Sequence, residues 1–308
     1  MTTSDVQMCE KFVKAMDPQC SFVSVKSLNG GLSAQTIVVE IQSLLGERKK
    51  LVIRRPPAWS LKKNPLAAST EYSLLNKLFL LGLKVPKPIF LDQEGAFFGT
   101  PSLAVAYEDG ATNFSPQNMS ETLAQMAAEL AKINKVTAND LTGVSIIKDT
   151  QIFPRKTEID YSASEISALN YLEQNWPIKS EKKAVLVHGD FWPGNLVWKN
   201  EKLKLVIDWE AAGLGDPLMD LAVSRLDVLW LYGKKAMDEF TEIYERLTKE
   251  DLTSLPHWDL WAAHRTGGKF ALWASVYPAL GRPDVTELTL REKHEYFVNQ
   301  AFDKIDSL

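Results

Sequence analysis

Cysteine is almost missing from this 308-residue chain: Cys9 and Cys20 are the only two, and neither lies in a Cys-x-x-Cys or Cys/His cluster. A disulfide scaffold and a zinc site are excluded as organising principles, and a reducing cytoplasm is the expected compartment. Basic charge is not in excess either. Lys and Arg total 35 against 39 Asp and Glu, for a formal net charge of −4, so nothing is spare to neutralise a phosphate backbone and no nucleic-acid partner is expected. No apolar run approaches the roughly 20 residues of a membrane span. Met1 leads into Thr2, Thr3, Ser4 and Asp5 without the cationic and apolar regions of a signal peptide, so neither membrane association nor export is expected. Internal repeats and low-complexity tracts are lacking as well.

What is present is enough apolar residue, 45%, for two lobes. The most informative stretch runs from Val185 to Leu221. Two short β-branched runs, Val185–Val187 and Leu203–Ile207, read as buried strands, and each ends in an acidic residue. After the first come His188, Gly189 and Asp190, with Asn195 following across the Pro193-Gly194 turn, which swings its amide back toward Asp190. After the second come Asp208, Trp209 and Glu210. Leu196–Trp198 is the expected partner of the second strand, through a hairpin turn at Lys199–Lys202. Convergent Asp, Asn and Asp oxygens suit Mg²⁺, which takes few protein ligands and fills its shell from water and substrate phosphates.

A loop of form His-x-Asp-x-x-x-x-Asn followed by a metal-binding Asp resembles the kinase-like phosphoryl-transfer sites. With Gly189 where protein kinases carry Arg, the chain is similar to the aminoglycoside phosphotransferase and choline kinase family. The resemblance implies an α+β, bilobal protein-kinase-like fold, with an N-terminal lobe built on an antiparallel sheet with helices and a mainly helical C-terminal lobe. It implies a kinase that moves the γ-phosphate of ATP or GTP to a hydroxyl of a small-molecule acceptor. Asp190 is the implied base, His188 its loop neighbour in the catalytic motif, and Asn195 and Asp208 the implied Mg²⁺ ligands, with Glu210 as a further metal candidate. Asp216 is expected to cap the next helix and Asp220 to brace the catalytic loop.

Taking the chain from its start, Ser4 is a candidate N-cap for a helix ending at Asp17-Pro18. Alternating segments Phe22–Val25 and Thr36–Ile41 flank Asn29-Gly30-Gly31-Leu32-Ser33. Such a turn can bring backbone N–H groups to a phosphate, and the resemblance gives Gly30, Gly31 and Ser33 a nucleotide-binding role. Lys50–Arg54 reads as the third strand, ended by Pro56-Pro57. Arg54 stands where the family usually has Lys, with Arg55 expected on the opposite face. Glu71, at the expected start of a helix through Leu78, either serves the helix dipole or, as the resemblance favours, pairs with Arg54. Strands are expected at Pro86–Asp92 and Phe97–Ala106. A break at Tyr107-Glu108-Asp109-Gly110 follows, read as a hinge whose backbone, at Tyr107 and Glu108, can meet a base edge. The lobes are therefore placed at residues 1–107 and 113–308, joined by a hinge at 108–112.

Beyond it, helices are expected at Asn118–Val136, Ala163–Asn175, Pro217–Tyr232, Lys234–Thr248, His257–Tyr277 and Glu287–Asp306. The Trp258, Trp261, Trp273 and Tyr277 stripe reads as core, and Asp259 and Arg265 are its polar members with a possible reach to substrate. The expected partners are thus a nucleotide and a small hydroxylated compound. Two alternatives stay open: a catalytically silent nucleotide-binding protein, and a protein kinase. Against the latter stand His-Gly-Asp, Asp-Trp-Glu and no Ala-Pro-Glu segment.

Overall fold

The computed structural model describes residues 3–27, 35–144, 162–179, 182–266 and 268–307. The chain divides into two compact units, Met1–Asp109 with Gly143–Ser145, and Gly110–Thr142 with Ile146–Leu308.

The first unit opens with α1 (Thr3–Met16), so Ser4 lies inside the helix rather than capping it. Strands β1 (Cys20–Ser27), β2 (Gln35–Ser43) and β3 (Arg48–Arg55) follow, then α2 (Ala58–Lys63), α3 (Ala67–Leu80), β4 (Pro88–Asp92) and β5 (Ser102–Ala106). The strands form one sheet in the order β1-β2-β3-β5-β4, each neighbouring pair antiparallel. Period-two alternation decides its faces. Ile37 pairs with Ile53 and Val39 with Leu51 across β2 and β3. All four join the core built on Cys9, Phe12 and Val13, one stripe of α1. The Phe12 ring meets Phe90 and Phe97 edge-on, with centroids 5.1 and 5.5 Å away. Phe97 precedes β5, which begins only at Ser102, because Asp92 accepts from the Ala96 and Phe97 amides and closes a turn there.

Arg54, one residue after Ile53, faces away from that core. Its Nε stands 3.2 Å from Glu71 Oε1, with both side chains largely buried. Arg55 returns to the other side, over the Phe98 ring at 4.9 Å. Since α3 begins at Ala67, Glu71 sits a full turn inside the helix. The dipole alternative for Glu71 is therefore corrected: what the structure provides is the ion pair.

The second unit is mainly helical: α4 (Met119–Ile133), α5 (Ala163–Asn175), two short paired strands and a hairpin, then α6 (Pro217–Tyr232), α7 (Lys234–Thr248), α8 (Leu255–Thr266), α9 (Phe270–Val276) and α10 (Glu287–Ile305). Asn118 caps α4 by accepting from the Glu121 amide at 3.1 Å. Strand β6 (Val185–Val187) pairs antiparallel with β9 (Gly213–Gly215), and β7 (Leu196–Lys199) with β8 (Lys202–Val206). Asn200 and Glu201, between β7 and β8, both have positive φ, 52° and 55°. That is the two-residue turn whose twist matches a hairpin. Gln125 on α4 holds it from below, donating to the Glu201 carbonyl and accepting from the Leu203 amide.

Helix α6 is the axis of this unit. Every residue from Pro217 to Leu231 is buried except Asp227, which is half-buried. A helix apolar nearly all round belongs in the centre of a core. The single helix expected over His257–Tyr277 is in fact two, α8 and α9, with Gly268 at φ +82° in the break. A glycine pair carries a helix poorly and readily takes the left-handed turn that ends one. Among the described residues no helix is long and apolar enough to cross a membrane.

Candidate active site

The loop from His188 to Asn195 is assembled by three neighbouring elements of the second unit. Pairing of Val187 with Gly213 brings the start of the loop against the 3-10 turn Trp209–Ala211. Gly189 has φ +78°, and a Cβ there would fall 2.5 Å from the Ala211 carbonyl oxygen. Both the backbone angle and the space therefore require glycine. Gly189→Ala is expected to destabilise the protein by about 2–4 kcal/mol, from the left-handed strain and the clash together. Chemical denaturation measures it, and a loss below half a kcal/mol refutes this account of the loop.

From below, α6 supports the loop with a polar stripe. Asp220, an acid expected to brace it, accepts the amides of His188 and Gly189, each at 2.7 Å, and the Asn134 amide at 3.3 Å. Burial raises its carboxyl above the usual range, while the His188 ring and the two backbone donors pull the other way. One turn on, the Ser224 hydroxyl donates to the Phe191 carbonyl at 2.7 Å. One further turn on is Asp227. Its carboxyl is pushed up to about 8, first by burial and then by the Asp190 charge, with Arg265 acting oppositely. Ser224 and Asp227 escaped the sequence reading. The signal for them is the spacing of Asp220, Ser224 and Asp227 at i, i+4 and i+7 on an otherwise apolar helix.

Asp227 keeps its proton in the folded state up to about pH 8, while in the unfolded chain it ionises near the ordinary pKa of about 4. Between those limits the folded state binds the extra proton, so stability falls as pH rises, by at most about 1.4 kcal/mol per unit. Asp227→Asn removes this dependence. The variant is expected to unfold at a higher temperature than wild type at pH 8.5, with the gap closing toward pH 5; a gap independent of pH contradicts it.

His188 is fully buried, its ring 4.6 Å from that of Trp209 between centroids. Burial lowers its pKa. Nδ1 lies where it accepts from the Asp190 amide, 3.2 Å away, which leaves Nε2 to donate to the Ile207 carbonyl at 3.0 Å. Both ring nitrogens are thus engaged in holding the loop to the end of β8, and the ring is closed to solvent. His188, a member of the catalytic motif, supports the loop here, because a buried ring so engaged has no route to substrate.

Asp190 is the exposed member, its side chain 41% accessible. Asn195 donates through Nδ2 to the Asp190 carbonyl at 2.9 Å and to Oδ2 at 3.1 Å. Its own carbonyl receives the Ile207 amide at 2.9 Å, tying the loop to the residue before Asp208. Asp208 turns out of the strand in the left-handed region, φ 68°, which Asp tolerates better than most residues. The other Asp190 oxygen, Oδ1, accepts from Arg265 Nη2 at 2.9 Å, and Arg265 Nη1 donates to the Gly189 carbonyl.

The oxygen donors at this end of the loop are of the kind a hard cation takes. With its Nδ2 turned to Asp190, Asn195 keeps Oδ1 as a neutral oxygen donor, and its backbone bond to Ile207 ties it to the residue before Asp208. Such a small oxygen set suits Mg²⁺, which keeps waters and phosphate oxygens in its shell. Glu210 is exposed on its 3-10 turn. Among the described residues no three His, Cys, Asp or Glu side chains gather as a metal set, so Glu210 does not complete a carboxylate cluster.

The remaining expectations divide. Asp259 is corrected: it is wholly buried, bridged to Arg225 by two 3.0 Å bonds and to Gln300 by a third, so it braces α6, α8 and α10 and does not reach substrate. Arg265, on the same helix, is placed on Asp190. In the first unit, Tyr107 donates its amide to the Lys50 carbonyl at 3.2 Å, continuing the β3 ladder, and Glu108 is exposed. Gly30, Gly31 and Ser33 lie outside the described residues.

Residues 24–264 match the phosphotransferase enzyme family. The mouse protein named acyl-CoA dehydrogenase family member 10 is 28% identical over 195 residues, 58% of this chain but 18% of its own length. The chain thus spans under a fifth of that relative. A crystal structure of a putative aminoglycoside phosphotransferase from Ralstonia eutropha superposes with a TM-score of 0.68 at 16% identity, covering 98% of both chains. The amicoumacin kinase hAmiN, solved with AMP-PNP and Ca²⁺, superposes with a TM-score of 0.61 at 14% identity over 95% of this chain and 94% of that one. The fold is therefore α+β and kinase-like, and with the family pattern spanning well over half its length the chain belongs to the phosphotransferase enzyme family.

Proposed function

We propose that this chain is a Mg²⁺-dependent small-molecule kinase that transfers the γ-phosphoryl group of ATP or GTP to a hydroxyl of a small acceptor. The observation that carries the reading is the Asp190 carboxylate, partly open to solvent and held by Asn195 on one oxygen and Arg265 on the other. Phosphoryl transfer asks little covalent work of a protein; alignment and charge do most of it. The acceptor oxygen attacks the γ-phosphorus, the bond to the bridging oxygen of the nucleoside diphosphate breaks, and the hydroxyl proton passes to Asp190. Asn195 and Asp208 hold Mg²⁺, which when bound neutralises charge on the phosphates. His188, Asp220 and Ser224 keep the loop in place. Arg54, oriented by Glu71, serves the nucleotide phosphates together with Gly30, Gly31 and Ser33, and the backbone at Tyr107 and Glu108 takes the base edge. A cytoplasmic location, where a nucleotide and reduced Cys9 and Cys20 are at home, belongs to the same proposal.

The reading is tested by phosphate transfer from labelled ATP or GTP, with Mg²⁺, to a panel of hydroxylated metabolites, aminoglycosides and macrolides. An acceptor-dependent product that disappears with EDTA supports it. Mg²⁺-dependent nucleotide binding with no product from any acceptor points instead to a silent nucleotide-binding protein.

A further inference from the structure

Given the kinase function proposed above, we infer that Arg265 selects an acceptor bearing an anionic group, a carboxylate or a phosphate, near the hydroxyl that is phosphorylated. The guanidinium is fixed at the proton-accepting end of the site, where Nη2 reaches Asp190 Oδ1 and Nη1 the Gly189 carbonyl. Those bonds use two of its five N–H donors. Its side chain remains 28% accessible beside the more exposed Asp190, so the pair is reached from solvent and the fork keeps donors for a second oxyanion. The Trp261 ring, its centroid 5.7 Å from the guanidinium carbon, backs the group and limits its swing. A guanidinium restrained in this way matches the planar pair of oxygens of a carboxylate or phosphate.

The surrounding charge points the same way. Asp190 is offset by Arg265. Asp227, the one residue of the Pro217–Leu231 run that is not fully buried, feels the charges of these two, makes no hydrogen bond or ion pair of its own among the described residues and is held protonated at neutral pH by burial. A cationic acceptor therefore meets a guanidinium and a base whose charge is already balanced, with no second ionised carboxylate from α6 to receive it. An anionic acceptor meets unshared, charge-assisted donors.

Matched acceptors decide the matter: glycerate against glyceramide, glycerol phosphate against glycerol, and glycolate against ethanolamine. In each pair that reacts, kcat/KM for the anionic member is expected to exceed that of its counterpart by about tenfold or more. The readout is this ratio, which is insensitive to a general loss of activity. It is expected to collapse to within about twofold in Arg265→Gln and to persist in Arg265→Lys, where charge is kept. A wild-type preference for neutral or cationic members, or a ratio unmoved by Arg265→Gln, overturns the inference while leaving the kinase reading intact, provided the turnover depends on Asp190. If no pair reacts, calorimetric titration of the same compounds reads the same ratio as binding. Arg265-dependent preference for the anions then upholds the anion site, with the kinase reading decided by the wider acceptor panel, and its absence overturns the inference.

Discussion

Asp190→Asn is expected to lower kcat by about 10²–10⁴-fold, the range for removal of a positioned general base. The substitution is chosen because it is nearly isosteric. An Asn side chain keeps an acceptor oxygen for Arg265 or Asn195, and the loop below is held by bonds to Asp220 and Ser224 that do not involve residue 190. What disappears is the site that accepts the hydroxyl proton. Steady-state kinetics with the best acceptor read the loss, and calorimetry of Mg²⁺-nucleotide binding, expected to change by less than about threefold, shows that it is chemical in origin. Turnover above a tenth of wild type shows that Asp190 is not the base. A parallel collapse of nucleotide binding relocates its role to the metal site.

Asp259→Ala is expected to cost about 3–5 kcal/mol of stability, the usual penalty for leaving one member of a buried ion pair behind. Arg225 and Asp259 are 1% and 0% accessible, with two parallel 3.0 Å bonds between them. Arg225 also donates to Thr241, and Gln300 donates to Asp259. Removing the carboxylate strands a guanidinium in the centre of the helical unit. Replacing both partners by apolar residues of similar volume, Arg225→Met with Asp259→Leu, is expected to recover most of the loss, since it removes the stranded charge as well. Denaturant midpoints at constant slope give the comparison. A single-substitution cost below 1 kcal/mol contradicts the structural role, and a raised acceptor KM at undiminished stability restores Asp259 to the substrate.

Local pattern carried much of what was expected, for reasons visible residue by residue. The limits of α6 and α7 were legible because Asp216-Pro217 and Gly233 are strong start and stop signals. Likewise, β6 and the β7–β8 hairpin stood out as short β-branched runs around a polar turn. The break at Gly268 that divides α8 from α9 is not legible because the aromatic stripe continues in helical register across it. Glu71 reads as a helix start because the polar Ser69-Thr70 precedes it, whereas the helix begins a turn earlier, at Ala67.

By itself the sequence determined the chemistry-bearing loop and the order of its acids, because spacing along one chain and turn preference are local properties, and the kind of fold followed from the family resemblance that this loop carries. Only the tertiary structure decided which polar residues share a site. Asp259 and Arg265 lie six residues apart on one helix, yet the first is sealed against Arg225 in the core and the second reaches Asp190. Ser224 and Asp227 sit in a run that reads as apolar core, yet the first bonds to the loop and the second feels the charge of Asp190. Helical periodicity states which side chains point the same way, but what stands opposite them is set by the packing of elements distant in the chain, through burial and charge that no short window contains.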